Sequence, residues 1–246
     1  MSSLDRRTLI LGGSTAALAL ALAGCADTGT PVPVAAAPAP VAAAPDDTTP
    51  PGSPAAITGL EPKYTAIYAA VTTEPHPVPA IKPSILKPAF VRRLVPYETK
   101  EAAGTIVIDP YAHYLYLVQA NGMAMRYGVG VGREGFAWKG EAVIKTKQEW
   151  PDWYPPKEMI DRTPGMAEKL DALQSGIGMH GGAGNPLGAR AMYLWQGNKD
   201  TLFRIHGTTE PKSIGTSASS GCIRMINQDA IDLYGRVPEG TRVVVL

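Results

Sequence analysis

The chain has 246 residues, of which 45% are hydrophobic, and its formal net charge is +1. This length and apolar content are sufficient for one sizeable core. The near-neutral charge provides no basic surplus, so the composition argues against a nucleic-acid partner. The four histidines are scattered too widely to form a zinc site with a cysteine, and we expect neither a metal nor another cofactor.

The first 25 residues have the features of an export signal. Arginines at 6–7 provide a positive start, an apolar stretch covers 9–22, and a Leu-Ala-Gly-Cys sequence ends at Cys25. That sequence resembles a lipobox, in which Cys25 is lipidated and becomes the mature N-terminus. Ala26 rather than aspartate follows it, which favours the outer membrane. The paired arginines also resemble a twin-arginine signal, so both export routes stay open.

Two proline-rich segments follow the signal. Residues 26–56 are a low-complexity run of Ala, Pro, Val, Thr and Asp. Such a run cannot bury enough apolar surface to offset its ordering entropy, so we expect a disordered tether. Residues 57–103 keep the prolines but add aromatic and aliphatic side chains. We therefore expect an irregular arm that packs on a folded domain formed by 104–246.

The pattern of that domain predicts a mainly β fold. Runs rich in β-branched and aromatic residues alternate with turn signals, of which Asn121-Gly122 is the strongest hairpin signal. The predicted strands are 105–109, 114–119, 123–131, 142–147, 191–195, 201–206 and 243–245. Residues 159–174 have partly helical spacing and predict one or two short helices in an insertion. Asn227 is a predicted N-cap of a short helix that begins there.

A histidine and a cysteine stand at the two ends of a segment rich in glycine, serine and threonine. His206 ends a predicted strand, and Cys222 follows in the sequence Ser-Ser-Gly-Cys. An imidazole held by a strand can deprotonate a thiol, and the intervening composition suits a loop that brings the two together. A lone cysteine is more commonly a small buried hydrophobe. Gly221 and the polar neighbours of Cys222 favour an accessible, catalytic thiol instead.

The motifs around these residues resemble the L,D-transpeptidase catalytic domain, also called the YkuD domain. The resemblance rests on His-Gly-Thr from His206, on Ser-Ser-Gly-Cys-Ile-Arg-Met ending at Met225, and on 184–191. It covers about 104–246 and implies a β-sandwich with a short helix after the active-site loop. Many members have Ser-His-Gly-Cys, whereas this chain has Ser220 at the position of that histidine.

The resemblance also implies a reaction on peptidoglycan. Cys222 would attack the L,D peptide bond of a tetrapeptide stem, release the terminal D-alanine and hold the remainder as a thioester. The acyl acceptor would be the amine of a second stem, giving a 3→3 cross-link, or a lysine of an envelope protein. Water as acceptor would make the same site an L,D-carboxypeptidase. His206 would be the base, and the backbone carbonyl of Gly207 the third member of the triad.

Further candidates lie close to the nucleophile. The backbone N–H groups of Gly221 and Cys222 are candidates for an oxyanion hole. Ser220 is a candidate substrate contact. The planar guanidinium of Arg224 suits a stem carboxylate. A structural ion pair between Arg224 and one of the aspartates at 229 and 232 explains this arginine equally well.

Two functions of other classes compete with this prediction. A non-catalytic, lipid-anchored protein that binds peptidoglycan would need neither Cys222 nor His206. A papain-like peptidase would place its nucleophile before its histidine, near the mature N-terminus, whereas here His206 comes first. The order and the joint presence of the two residues therefore favour the L,D-transpeptidase. We expect such a protein to be exported to the periplasm.

Overall fold

The computed structural model of the chain describes residues 66–132, 139–219 and 221–246. The predicted signal and tether, the first residues of the arm, and Ser220 lie outside the described residues. The strands are β1 (Arg93–Pro96), β2 (Ile106–Asp109), β3 (Tyr114–Val118), β4 (Met123–Gly128), β5 (Val131–Gly132), β6 (Gly140–Glu149), β7 (Asp171–Leu173), β8 (Gly176–Gly178), β9 (Arg190–Gln196), β10 (Lys199–His206), β11 (Ser217–Ser219), β12 (Ile223–Arg224) and β13 (Arg242–Val245). The helices are α1 (Lys157–Arg162) and α2 (Asn227–Arg236).

Nine of these strands form one sheet in the order β1-β4-β3-β2-β13-β6-β9-β10-β12. The sheet meets itself where Gly130, just after β4, bridges Arg224 of β12. The Gly130 N–H donates to the Arg224 carbonyl at 2.9 Å, and the Arg224 N–H donates back at 2.8 Å. The predicted mainly β fold is confirmed, and the arrangement is that of a β-sandwich around one core.

The core forms because inward and outward side chains alternate along the strands. On β3, Leu115 and Leu117 are buried while Tyr114 and Tyr116 remain partly exposed. A shift of one residue would place the leucines in water, so the hydrophobic pattern determines the register. The buried apolar residues of the sheet and α2 form one cluster, which includes Ile106, Ile144, Met192, Leu194, Ile205, Ile223 and Leu233.

The described part of the arm packs on this domain in two ways. Tyr68, Leu86 and Val91 join Ile214 and Ile226 in a second apolar cluster beside α2. A buried ion pair also holds the arm. The guanidinium of Arg190 on β9 donates to both carboxylate oxygens of Glu74, at 2.6 and 2.8 Å. Trp150 Nε1 donates to the same carboxylate at 2.9 Å. The boundary of the arm at 57–103 remains a prediction.

Two sequence predictions differ from the structure. The strand predicted over 123–131 ends at Gly128, and Val131 begins a separate strand, β5, that pairs with β11 instead of β3. The one or two short helices predicted within 159–174 are present as α1 and a 3-10 helix at Ala167–Lys169, but the residues from 171 onward form a hairpin of β7 and β8. Within the described ranges, none of the helices combines the length and apolarity needed to cross a membrane.

Candidate active site

The register of β10 and β12 brings the predicted base and nucleophile to one face of the sheet. The two strands are parallel, with Ile205 opposite Ile223 and His206 opposite Arg224. Successive side chains of a strand point to opposite faces. Cys222, two residues before Arg224, therefore lies on the same face as His206, while the two isoleucines enter the core. The alternation of side chains along each strand and the parallel pairing of β10 with β12 together place His206 and Cys222 on one face.

His206 is buried, and a backbone carbonyl faces its ring. Nδ1 lies 2.5 Å from the carbonyl oxygen of Gly207. A carbonyl only accepts, so the nitrogen that faces Gly207 carries the proton and the other keeps the lone pair that a base needs. The hydrogen bond to Gly207 is stronger when the ring is charged, so it stabilises the imidazolium that forms when a proton arrives.

The His206 imidazole and the Cys222 thiol are both uncharged at neutral pH. Burial lowers the pKa of His206 from 6.5 to about 4; the carbonyls of Gly207 and Leu187 oppose this shift, and the positive Arg224 reinforces it. Burial also raises the pKa of the Cys222 thiol above its ordinary value, against the opposing effect of the Arg204 backbone. The resting pair is therefore a thiol and a neutral imidazole, which suits general-base activation rather than a preformed ion pair.

Cys222 is partly buried at the start of β12 and is not part of a disulfide in the described structure. Its Sγ lies 3.9 Å from the carbonyl oxygen of Leu202 on β10. Gly221 precedes it with φ +125°, and a Cβ at this position would lie 2.6 Å from Cε1 of Phe203. Both the backbone conformation and the close ring require glycine here. The assignment of the Gly221 and Cys222 N–H groups to an oxyanion hole remains a prediction.

Asn227 has a role that differs from the predicted N-cap. The N-cap residue is Ile226, and no side chain caps the helix. The Asn227 amide instead connects two loops, since Oδ1 accepts from the Ala189 N–H at 3.0 Å and Nδ2 donates to the Thr208 carbonyl at 3.1 Å. A Cβ on Gly207 would lie 2.0 Å from this Oδ1. The prediction failed because an asparagine at the start of a helix can either cap the helix or bind neighbouring loops, and the local sequence does not distinguish these two roles.

Arg224 does form an ion pair, but with a partner that the sequence did not indicate. Its Nη1 lies 2.8 Å from Oε2 of Glu210, in the loop after β10. The two aspartates predicted as partners are occupied elsewhere, because Arg92 contacts Asp229 at 3.7 Å and Asp232 at 2.7 Å. The predicted ion-pair partners were therefore wrong. Arg224 is two residues from Cys222 in the chain, and its guanidinium is paired with one exposed carboxylate.

The remaining site predictions are outside what the structure describes or are not tested by it. Ser220 and Cys25 belong to the undescribed residues, so their roles as substrate contact and lipidation site remain predictions. Among the described residues, no cluster of three or more His, Cys, Asp or Glu side chains could hold a metal ion.

Comparison with known proteins identifies the family. Residues 103–245 match the family model of the L,D-transpeptidase catalytic domain, YkuD. The chain belongs to this family. It is 32% identical over 135 residues to the probable L,D-transpeptidase ErfK/SrfK of Escherichia coli (strain K12), covering 54% of this chain and 40% of that protein. It is 41% identical over 142 residues to the putative L,D-transpeptidase YqjB of Bacillus subtilis (strain 168), covering 57% and 69%.

Among solved structures, a Brucella melitensis protein described as a probable carnitine operon oxidoreductase is 53% identical. That match covers 65% of this chain and 96% of the other, with a TM-score of 0.45. The present chain spans only about two fifths of the length of the Escherichia coli relatives it matches. The shared region is the catalytic domain.

Proposed function

We propose that this chain is an L,D-transpeptidase that uses Cys222 as its nucleophile on peptidoglycan tetrapeptide stems. The observation that carries the proposal is the placement of His206 on the same face as Cys222, with its ring against the Gly207 carbonyl. A thiol, an imidazole and a carbonyl that can orient the imidazole are the parts that covalent acyl transfer requires, and this arrangement supports those roles for Cys222, His206 and Gly207. Family membership supplies the substrate class.

The first half-reaction acylates the enzyme. His206 takes the thiol proton, and the sulfur of Cys222 attacks the carbonyl carbon of the bond before the terminal D-alanine. The N–H groups of Gly221 and Cys222 stabilise the resulting oxyanion. The carbon–nitrogen bond then breaks, His206 returns the proton to the departing amine, and D-alanine leaves. The product is a thioester between Cys222 and the shortened stem.

The second half-reaction transfers the acyl group. An acceptor amine attacks the thioester carbonyl, and His206 takes one of its protons. The carbon–sulfur bond then breaks, and His206 returns that proton to the departing sulfur, which regenerates the thiol. An amine of a second stem would give a 3→3 cross-link, and a lysine would attach an envelope protein. Water would give an L,D-carboxypeptidase from the same residues. Arg224 lies two residues from the nucleophile and would bind a stem carboxylate after exchange with Glu210.

The low pKa of His206 has a clear consequence for this cycle. A base with a pKa of about 4 remains unprotonated throughout the neutral range, so it is available in every resting molecule. It is also a weak base, and the imidazolium must be stabilised for the proton to transfer. The carbonyl of Gly207 provides that stabilisation at 2.5 Å.

The test is to incubate the chain with tetrapeptide muropeptides and measure both D-alanine release and the intact mass. We expect an acyl adduct on Cys222, none in Cys222→Ala, and a rate reduced by about two to four orders of magnitude in His206→Ala. Asp161→Asn is a matched control, because its exposed pair with Lys157 lies on α1. Unchanged D-alanine release by Cys222→Ala would refute the nucleophile. Muropeptide binding without release by the wild type would favour a non-catalytic binding protein.

We further propose that the protein is exported to the periplasm and anchored to the outer membrane through a lipid on Cys25. The support is the lipobox-like sequence ending at Cys25. The roughly thirty residues after it, at about 3.1 Å each in extended proline-rich conformation, would reach on the order of 90 Å. Cys25→Ala should move the protein to the soluble fraction or leave it unprocessed. A wild-type protein that is soluble, with another N-terminus, would refute the anchor.

A further inference from the structure

Strand β10 contains a bulge beside the nucleophile. Its register against β9 shifts between Asp200 and Arg204. Leu202, inside the bulge, adopts φ +62°, a left-handed conformation that residues other than glycine rarely take. Its side chain is 75% exposed, so packing of the leucine does not explain the conformation. Bulges of this kind are common next to active sites, where they redirect backbone groups.

Two side chains of the bulge itself hold the backbone in place. Asp200 Oδ1 accepts from the Leu202 N–H at 2.8 Å, and Thr201 Oγ1 accepts from the Phe203 N–H at 3.1 Å. Both Asp200 oxygens also pair with the Arg204 guanidinium, at 2.7 and 2.8 Å. The N–H groups that the bulge removes from the regular ladder are therefore satisfied locally.

The backbone groups redirected by the bulge face Cys222. The carbonyl oxygen of Leu202 lies 3.9 Å from Sγ, and the backbone of Arg204 is close enough to the same side chain to lower the pKa of its thiol. The Phe203 ring between them lies against Gly221, the residue before the nucleophile. One short piece of β10 thus presents both an acceptor and a donor to the sulfur.

We propose that this bulge is a cradle for the nucleophile and that Asp200 is a positioning residue that maintains it. The Leu202 carbonyl accepts the S–H group at rest. When His206 takes the proton, the electron pair stays on sulfur, and the Arg204 N–H stabilises the thiolate. The inference rests on the proposed function of Cys222 and adds a second element to it, since activation then depends on β10 as well as on the base.

The charges around Cys222 support the cradle and also constrain its test. The Arg204 backbone bond and the positive charges of Arg204 and Arg224 lower the pKa of the thiol, against burial, which is the larger effect and raises it. The carboxylate of Asp200 raises it as well. Removing that carboxylate therefore changes the charge and the geometry together, with opposite effects. The experiment has to hold the charge constant.

The variants Asp200→Asn and Asp200→Ala have the same charge and differ in geometry. Both are neutral, but the asparagine keeps an oxygen for the Leu202 N–H and the alanine does not. The measurement is the pH dependence of iodoacetamide alkylation in the full chain, followed by mass spectrometry of the peptide that contains Cys222. At pH 7 we expect Asp200→Ala to be alkylated at least about tenfold more slowly than Asp200→Asn, because a hydrogen bond to the thiolate is lost. The control Asp161→Asn should match the wild type.

Equal rates and equal pH profiles for the two Asp200 variants would overturn the proposal. If Asp200→Ala does not fold, Thr201→Ser and Thr201→Ala provide a second pair, because serine keeps the hydroxyl that accepts from the Phe203 N–H. Slower alkylation of Thr201→Ala supports the cradle, and equal rates refute it. Alkylation needs no peptidoglycan substrate. A chain that shows the expected alkylation but releases no D-alanine would refute the transpeptidase function while the cradle stands.

Discussion

Asn227 Oδ1 accepts a hydrogen bond from the backbone N–H of Ala189 at 3.0 Å. The other end of the same amide donates to the Thr208 carbonyl at 3.1 Å. Asn227 thereby joins the loop before β9 to the loop after β10, and the second of these loops supplies the Gly207 carbonyl that contacts the His206 ring. Its oxygen also lies against the Cα of Gly207, where a Cβ would come within 2.0 Å. The placement of His206 thus depends on a residue of α2 that hydrogen-bonds the loops around it.

We expect Asn227→Ala to lower the rate of D-alanine release by about tenfold to a hundredfold, because small misplacements of a catalytic group have large kinetic effects. Asn227→Asp keeps the shape and the acceptor, but it removes the donor to Thr208 and adds a negative charge near His206. That charge should raise the pKa of His206 and move the acid limb of the kcat/KM profile upward. An Asn227→Ala variant with wild-type kinetics would contradict this role.

The stability of the protein should depend on pH through His206. The folded pKa is about 4 and the ordinary value is 6.5, so the unfolded chain binds this proton more readily. The contribution of His206 is complete above about pH 6.5 and is lost as the pH falls towards 4. The loss is about 3 kcal/mol. The free energy of unfolding of the wild type relative to His206→Gln should fall by about this amount between pH 7 and pH 4.

The protonation of Asp229 changes the free energy of unfolding with pH in the opposite direction, so the experiment needs a control for it. Burial raises its pKa from 3.8 to about 7, although Arg92 and the Tyr68 hydroxyl act in the other direction. The folded chain therefore binds this proton more readily, so the contribution is present below about pH 4 and is lost as the pH rises to 7. The His206 measurement should accordingly be repeated in an Asp229→Asn background. A pH-independent difference between wild type and His206→Gln in both backgrounds would contradict the shift.

The buried ion pair between Glu74 and Arg190 should contribute substantially to the free energy of unfolding. The two side chains are 11% and 7% exposed, so Glu74→Gln leaves a buried guanidinium with only the more distant carboxylate of Glu149, at 3.8 Å. We expect the free energy of unfolding to fall by about 2 to 4 kcal/mol, measured by urea denaturation. Asp161→Asn breaks an ion pair whose side chains are mostly exposed and should cost less than about 1 kcal/mol. Equal effects of the two substitutions would refute the stabilising role of the buried ion pair between Glu74 and Arg190.

Glu210 should compete with substrate for Arg224. The carboxylate is 69% exposed and lies 2.8 Å from the guanidinium, so it can be displaced at little cost. Glu210→Gln should lower KM by up to about fivefold with kcat little changed, since an exposed pair is worth at most about 1 kcal/mol. Arg224→Lys keeps the charge but loses the planar fork, and it should raise KM. A KM unaffected by either change would remove Arg224 from the substrate site.

Much of the fold was predictable because its signals are local. The hairpin at Asn121-Gly122 formed as expected, and both residues have positive φ, 60° and 70°, which asparagine and glycine tolerate. Alternating apolar residues gave the strands of the sheet to within a few residues. The insertion was harder, because its short partly apolar runs suit a helix or a hairpin equally well, and β7 and β8 were decided by pairing with each other.

The sequence by itself determined the mainly β fold and singled out His206 and Cys222, because these features depend on residue type and spacing along the chain. The Gly207 carbonyl was expected only from the family resemblance. Only the tertiary structure decided that Asn227 bridges two loops, that Arg224 pairs with Glu210, and that a bulge in β10 faces the sulfur. Such partners are chosen by which backbone segments the sheet brings within hydrogen-bond distance. Spacing along the chain does not contain that information, because many side chains could satisfy the same polar group.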